Sequence, residues 1–170
     1  HFILTTEDIP EDDGNYKMNP PLRSREDVEA LKEGLRNNIM DVIATDHAPH
    51  SAEEKNKSMK DAMFGIVGLE TSAALTYTEL VDKGILTPMQ MAEKMSYNPA
   101  RILGIAGEKG SVSEGMIADI VIFDPKREYR IDKNTFLSKG KNTPFDNYAV
   151  KGDVRYTFVG GKMVYENTAY

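Results

Sequence analysis

The chain has 170 residues, 40% of them hydrophobic and 28% charged, with a formal net charge of −6. That length fits one globular domain, or a domain with a small appendage, and the absence of cysteine excludes disulfides and thiolate metal sites. The acidic balance without a dense Lys/Arg block argues against nucleic-acid binding, and no apolar run approaches the roughly 18 residues that cross a bilayer.

The chain opens on His1 rather than Met and reads as a piece of a longer polypeptide or as a processed product. Residues 1–7, HFILTTE, read as the end of a strand leaving a core, followed by a polar turn-rich loop. The triplet Glu11, Asp12 and Asp13 in that loop lacks calcium-loop spacing and reads as solvated. Ser24, with Asp27 three positions on, predicts a capped helix whose inner face carries Val28, Leu31 and Leu35 and which stops at Asn37-Asn38. Residues 39–45, IMDVIAT, predict a short, fully buried strand. Lys55, Lys57 and Lys60, interleaved with Glu53, Glu54 and Asp61, read as a solvated charged loop.

Ile66, Leu69, Ala73, Tyr77 and Leu80 then recur at helical spacing, and Gly84 predicts the end of that helix. Thr87-Pro88 with Gln90 predicts a second capped helix, whose inner face of Met91, Ala92 and Met95 reads as core filler. Asn98 is the expected cap of a third short helix, NPARILG. Near Gly107–Gly110 the pattern turns to β: ADIVIFD at 118–124, then VRYTFVGGKMVYE at 154–166, a hairpin around Gly160-Gly161. Residues 1–106 therefore read as α/β and residues 107–170 as β-rich.

The stretch DVIATDHAPH, residues 41–50, carries the chemistry. Parallel α/β folds place their sites at the C-terminal ends of strands, and Asp46 stands at such an end. An aspartate there can ligate a metal or act as a general base. His50, in a loop stiffened by Pro49, can donate to a substrate oxygen. Asn19, its direction set by Pro20-Pro21, offers both a donor and an acceptor. The competing reading is that Asp46 and His50 only cap the following loop. His47 is expected to turn away and bond locally. One aspartate with two or three histidines does not complete a catalytic metal site, which takes three protein ligands or more.

DVIATDHAPH resembles the last-strand motif of the dihydroorotases, within the amidohydrolase superfamily of metal-dependent (β/α)8 barrels. NPPLRS at 19–24, FGIVGLET at 64–71, SYNPARILGI at 96–105, GSVSEGMIADIVIFDP at 110–125 and the NTPF-containing stretch 138–166 are similar to its C-terminal region, in the same order. NTPF is the part least shared with hydantoinases and allantoinases. The resemblance implies an α/β fold: the C-terminal part of a (β/α)8 barrel, with its last two strands and following helices in 1–106, then part of a small β-sandwich in 107–170.

The activity it implies is reversible cyclisation of N-carbamoyl-L-aspartate to L-dihydroorotate in pyrimidine synthesis, with one or two zinc ions, in the cytoplasm. Asp46 matches a metal ligand and proton shuttle, which takes a proton from the attacking hydroxide and gives it to the leaving amide nitrogen. Asn19 and His50 match residues that hold the substrate, and Phe64 and Gly65 a pair lying against the pyrimidine ring. His1 matches the end of the strand-seven motif, whose histidines do not bind metal. The family's other metal ligands and its carboxylate-binding arginine precede this segment, so the missing N-terminal part of the same protein is an implied partner. A homodimer or an association with aspartate transcarbamoylase is the implied assembly. The competing functions are a sister cyclic amidohydrolase, such as a hydantoinase or allantoinase, and an inactive dihydroorotase-like structural partner. Two strands of a barrel leave open edges, so the chain is expected not to work alone.

Overall fold

Helix α1 (Arg25–Arg36) begins where its cap predicts: Ser24 accepts from the Asp27 N–H, and the Asp27 carboxylate returns to the Ser24 N–H. The same reciprocal cap opens α2 (Ala52–Lys55) through Ser51 and Glu54, and α4 (Pro88–Ala92) through Thr87 and Gln90. Each cap satisfies two N–H groups that the helix cannot, a contribution of about 1 kcal/mol. The computed structural model describes residues 1–168.

Two expected strands are absent among the described residues. Residues 1–7 instead close a 3-10 turn, Thr6–Asp8, because Thr5 and Asp8 form a capping box of their own. Residues 39–45 form no ladder among the described residues; the Ile43 N–H goes to the Lys94 carbonyl at 3.0 Å. A strand is a relation with a neighbour, and neither segment has one here.

The helix expected from Ile66 starts later, as α3 (Ser72–Thr76), and runs on through a π-helical turn, Tyr77–Val81. Leu69 therefore lies outside it and is 64% exposed, whereas Leu80 is fully buried. Gly84, at φ +70°, ends the segment as expected.

The next helix runs without a break from α4 through a π-helical turn, Glu93–Tyr97, into α5 (Asn98–Ile102). Asn98 does not cap it; its side-chain amide donates to the Asp41 carbonyl at 2.9 Å. Pro99 cannot return an N–H to the preceding turn, and the wide turn sits beside it. Ala92 on this helix is exposed, and besides Ala100 the helix buries Lys94, whose ammonium donates to Asn38 Oδ1 (3.0 Å) and the Met40 carbonyl (2.7 Å).

The β-rich part is an antiparallel three-stranded sheet in the order β1 (Ile120–Arg130), β2 (Ala149–Val159), β3 (Lys162–Glu166). Ile120 pairs with Phe158 and Arg130 with Ala149, with a register break between Asp124 and Glu128. Pro125, which has no N–H for a ladder, lies in that break. Gly160 and Gly161, both at positive φ, make the expected hairpin turn.

One apolar cluster joins Ala74 and Leu75 of α3 to Ile131, Phe145 and Val150, with Ile3, Leu4 and Ile66 packed against it. A second joins Leu35, Leu80 and Leu86. The first draws on both sides of residue 107, so the α/β and β-rich parts share a core. Tyr148 adds a polar link, donating to buried Glu79 at 2.9 Å; burial, then that hydrogen bond, push its phenol well above the ordinary tyrosine range.

Candidate functional site

Asp46 follows residues 39–45 in the left-handed region at φ +46°, a conformation that short polar side chains tolerate and branched ones do not. It lines a cavity of about 290 Å³ together with Asn19, Thr45, Gly65 and His1, over an apolar wall that includes Phe2 and Met18. His1 donates through Nε2 to the Pro20 carbonyl at 2.7 Å, since a carbonyl only accepts, and so ties down the loop that carries Asn19.

His50 stands at the edge of this cavity rather than in its wall. Its Nε2 donates to the Phe64 carbonyl at 2.9 Å, and its Nδ1 lies 3.5 Å from a Glu54 carboxylate oxygen. Gly65 takes φ +107°, where an added Cβ would fall 2.5 Å from the Ala48 Cβ. Its N–H donates to the Lys17 carbonyl at 3.0 Å. The Phe64 ring is 56% exposed, with the Lys17 ammonium 4.5 Å above it. Asp46, Asn19 and Gly65 thus share one cavity, and His50 and Phe64 adjoin it through a direct bond. The partners of His47 are not local in the sequence: its Nδ1 accepts from the Gly68 N–H (3.1 Å) and the Leu69 N–H (3.4 Å), 21 and 22 positions on.

Two residues of this region are illegible in the sequence. Lys55, read there as part of a solvated run, is 1% exposed and donates to the Lys17 carbonyl (2.9 Å) and the Met63 carbonyl (2.7 Å). Burial, reinforced by the nearby Lys17 charge and opposed by Asp13, pushes its ammonium down to about 8. Asn142 is buried and bonds to Ala48, His50 and Gly65. Its only sequence signal is membership of the NTPF stretch.

Among the described residues, no three His, Asp or Glu side chains gather closely enough to hold a metal ion. Asp46 brings one exposed carboxylate to the cavity, which fits a single ligand position of a larger site. None of the helices among the described residues is long and apolar enough to cross a membrane.

The profile of the amidohydrolase family matches residues 9–164. Dihydroorotases of Bacillus cytotoxicus and Geobacillus sp. (strain WCH70) are each 52% identical over 166 residues, 98% of this chain and 38% of the relative. The chain therefore spans about 38% of the length of the curated relatives it matches. Among solved structures, the L-hydantoinase of Arthrobacter aurescens superposes with a TM-score of 0.89 at 37% identity, covering 96% of this chain and 37% of that one. The D-hydantoinase of Thermus sp. superposes at 0.85 and 26% identity, covering 92% and 35%. The fold is accordingly part of a (β/α)8 barrel with part of a small β domain attached.

Proposed function

The chain belongs to the amidohydrolase family, and from that premise we propose that it is the C-terminal part of a dihydroorotase. The reaction is the reversible opening of the dihydroorotate ring to N-carbamoyl-L-aspartate. The observation that carries this reading is 52% identity to dihydroorotases along 98% of the chain, against 37% and 26% to the two hydantoinases.

Asp46 contributes one ligand to the metal that the family uses, zinc in this reading, and residues outside this chain contribute the others. When bound, the metal supplies Lewis acidity and lowers the pKa of water toward ~7. In ring opening, Asp46 takes the proton of the attacking water and delivers it to the ring nitrogen as the amide C–N bond breaks; in ring closure it runs the reverse. The left-handed backbone at Asp46 and its place in the cavity wall support this role. Asn19 offers an amide donor and acceptor to the substrate, and His50 holds it from the edge. Phe64 and Gly65 flank the ring, with the Lys17 charge above Phe64 adding a cation close to an anionic substrate.

The site works in the cytoplasm and in the full-length polypeptide, with a barrel-forming part at residues 1–106 and a β-rich part at residues 107–170. The test is turnover by the full-length enzyme loaded with zinc, with dihydroorotate and a 5-substituted hydantoin as competing substrates. Preference for dihydroorotate is expected; preference for the hydantoin overturns the reading.

A further inference from the structure

Asn142 lies in the segment between the 3-10 turn Lys133–Thr135 and β2, far in sequence from the cavity, yet its side chain is 5% exposed and wedged behind the cavity rim. It uses three of the four hydrogen-bond positions an amide has. Oδ1 accepts from the His50 N–H at 2.9 Å, while Nδ2 donates to the Ala48 carbonyl at 2.9 Å and the Gly65 carbonyl at 3.2 Å. Its own carbonyl accepts from the Val67 N–H at 2.9 Å. The segment is pressed tightly against the same loop: a Cβ on Gly140 would lie 2.8 Å from the Pro49 Cβ and 2.9 Å from the His50 nitrogen.

These bonds converge on two chain stretches, 48–50 and 65–67, which also meet directly where the Ala48 N–H donates to the Ile66 carbonyl at 2.9 Å. One carries His50, the other follows Phe64 and includes Gly65. We propose that Asn142 is a positioning residue that sets His50 and Gly65 in the geometry that holds the substrate, an inference that rests on the function proposed above. The amide is the side chain this place requires. An aliphatic residue would leave the His50 N–H and two carbonyls without partners, and a carboxylate would face two carbonyl oxygens with no proton to offer.

The experiment uses the full-length zinc enzyme and its Asn142→Ala and Asn142→Asp variants. For Asn142→Ala, KM for dihydroorotate is expected to rise about tenfold or more while kcat falls less than about threefold, the split of lost substrate binding. Hydrogen exchange at residues 47–67 is expected to quicken while α1 keeps its protection. Asn142→Asp should share the KM defect at pH 8 and recover part of it toward pH 5.5, relative to the parent, as its buried carboxyl regains a proton to donate. An unchanged KM, or a loss of protection spread evenly over the molecule, overturns the proposal. So does a KM ratio of Asn142→Asp to parent that is flat with pH. A parent that opens hydantoins but not dihydroorotate overturns the function proposed above instead, and the role of Asn142 is then read on the hydantoin KM by the same criteria.

Discussion

The Lys55 ammonium donates to the main-chain carbonyl of Lys17 at 2.9 Å, and so a buried cation straps the loop that leads to Asn19 onto the loop that follows His50. The Asp12 carboxylate accepts from the Met59 N–H at 2.6 Å and the Lys17 ammonium donates to the Lys60 carbonyl at 2.8 Å, extending the same seam. Among the described residues Lys55 forms no ion pair; its partners are carbonyl dipoles, and burial, opposed only by the Asp13 charge, depresses its proton affinity.

Stability should therefore depend on Lys55 between pH 8 and pH 10.5. The folded protein sheds the Lys55 proton near 8, whereas the unfolded chain keeps it to the ordinary 10.5. Unfolding in that window takes up a proton, so this contribution rises with pH, by at most about 1.4 kcal/mol per pH unit. In the full-length protein, the stability of the parent relative to Lys55→Met, measured by chemical denaturation, should climb from pH 8 to 10.5. A difference that stays level, or falls, would contradict the assignment of a depressed Lys55.

Asp46→Asn should lower kcat by about 10²-fold or more and leave the fold in place. Asparagine matches aspartate in size and shares its tolerance of the left-handed region, so the φ of +46° stays available. What is lost is the group that moves the proton. Turnover within tenfold of the parent, in a variant with unchanged circular dichroism, would refute the role given to Asp46.

His50→Ala should act mainly on KM, since the imidazole bridges the Phe64 carbonyl and the cavity edge and lies outside the wall that carries Asp46. A rise of roughly tenfold is expected for the loss of one good hydrogen bond and the order it imposes. Steady-state kinetics with dihydroorotate decide it: a KM equal to that of the parent counts against the residue.

Gly65→Ala should be at least as damaging to substrate affinity as His50→Ala. The new methyl would start 2.5 Å from the Ala48 Cβ, in a backbone conformation of φ +107° that alanine resists. The affected chain is the one that carries Phe64 into place. A variant that binds dihydroorotate as tightly as the parent would show that the rim yields easily.

The 170-residue chain, expressed by itself, should unfold over a broad temperature range. Its segments 1–7 and 39–45 have no ladder partners among the described residues, and its sheet leaves Val121, Met163 and Val164 each at least 47% exposed. A single sharp calorimetric transition in the isolated metal-free monomer would rule this out.

Local signals were legible in the sequence. Ser24 with Asp27, Thr87 with Gln90 and the Gly160-Gly161 turn each depend on residues within a few positions, and each is where its pattern predicts. Relations across the chain were not. Nothing near Lys55 or Lys94 announces that their ammonium groups end on carbonyls 38 and 54 residues away. Asn98 has the composition of a cap, but its amide reaches back to Asp41 and the helix continues through it. Asp46, Asn19 and Gly65 were readable as a set through the family resemblance, whereas Asn142 bonds to His50 across 92 positions and carries no pattern that spacing alone reveals.

That long reach bears on how damage to the gene would be felt. A stop codon at position 142 would remove the amide that braces His50 and Gly65, along with strands β2 and β3. A chain cut at position 142 should therefore lose the bracing of the 48–50 and 65–67 rim together with most of the sheet.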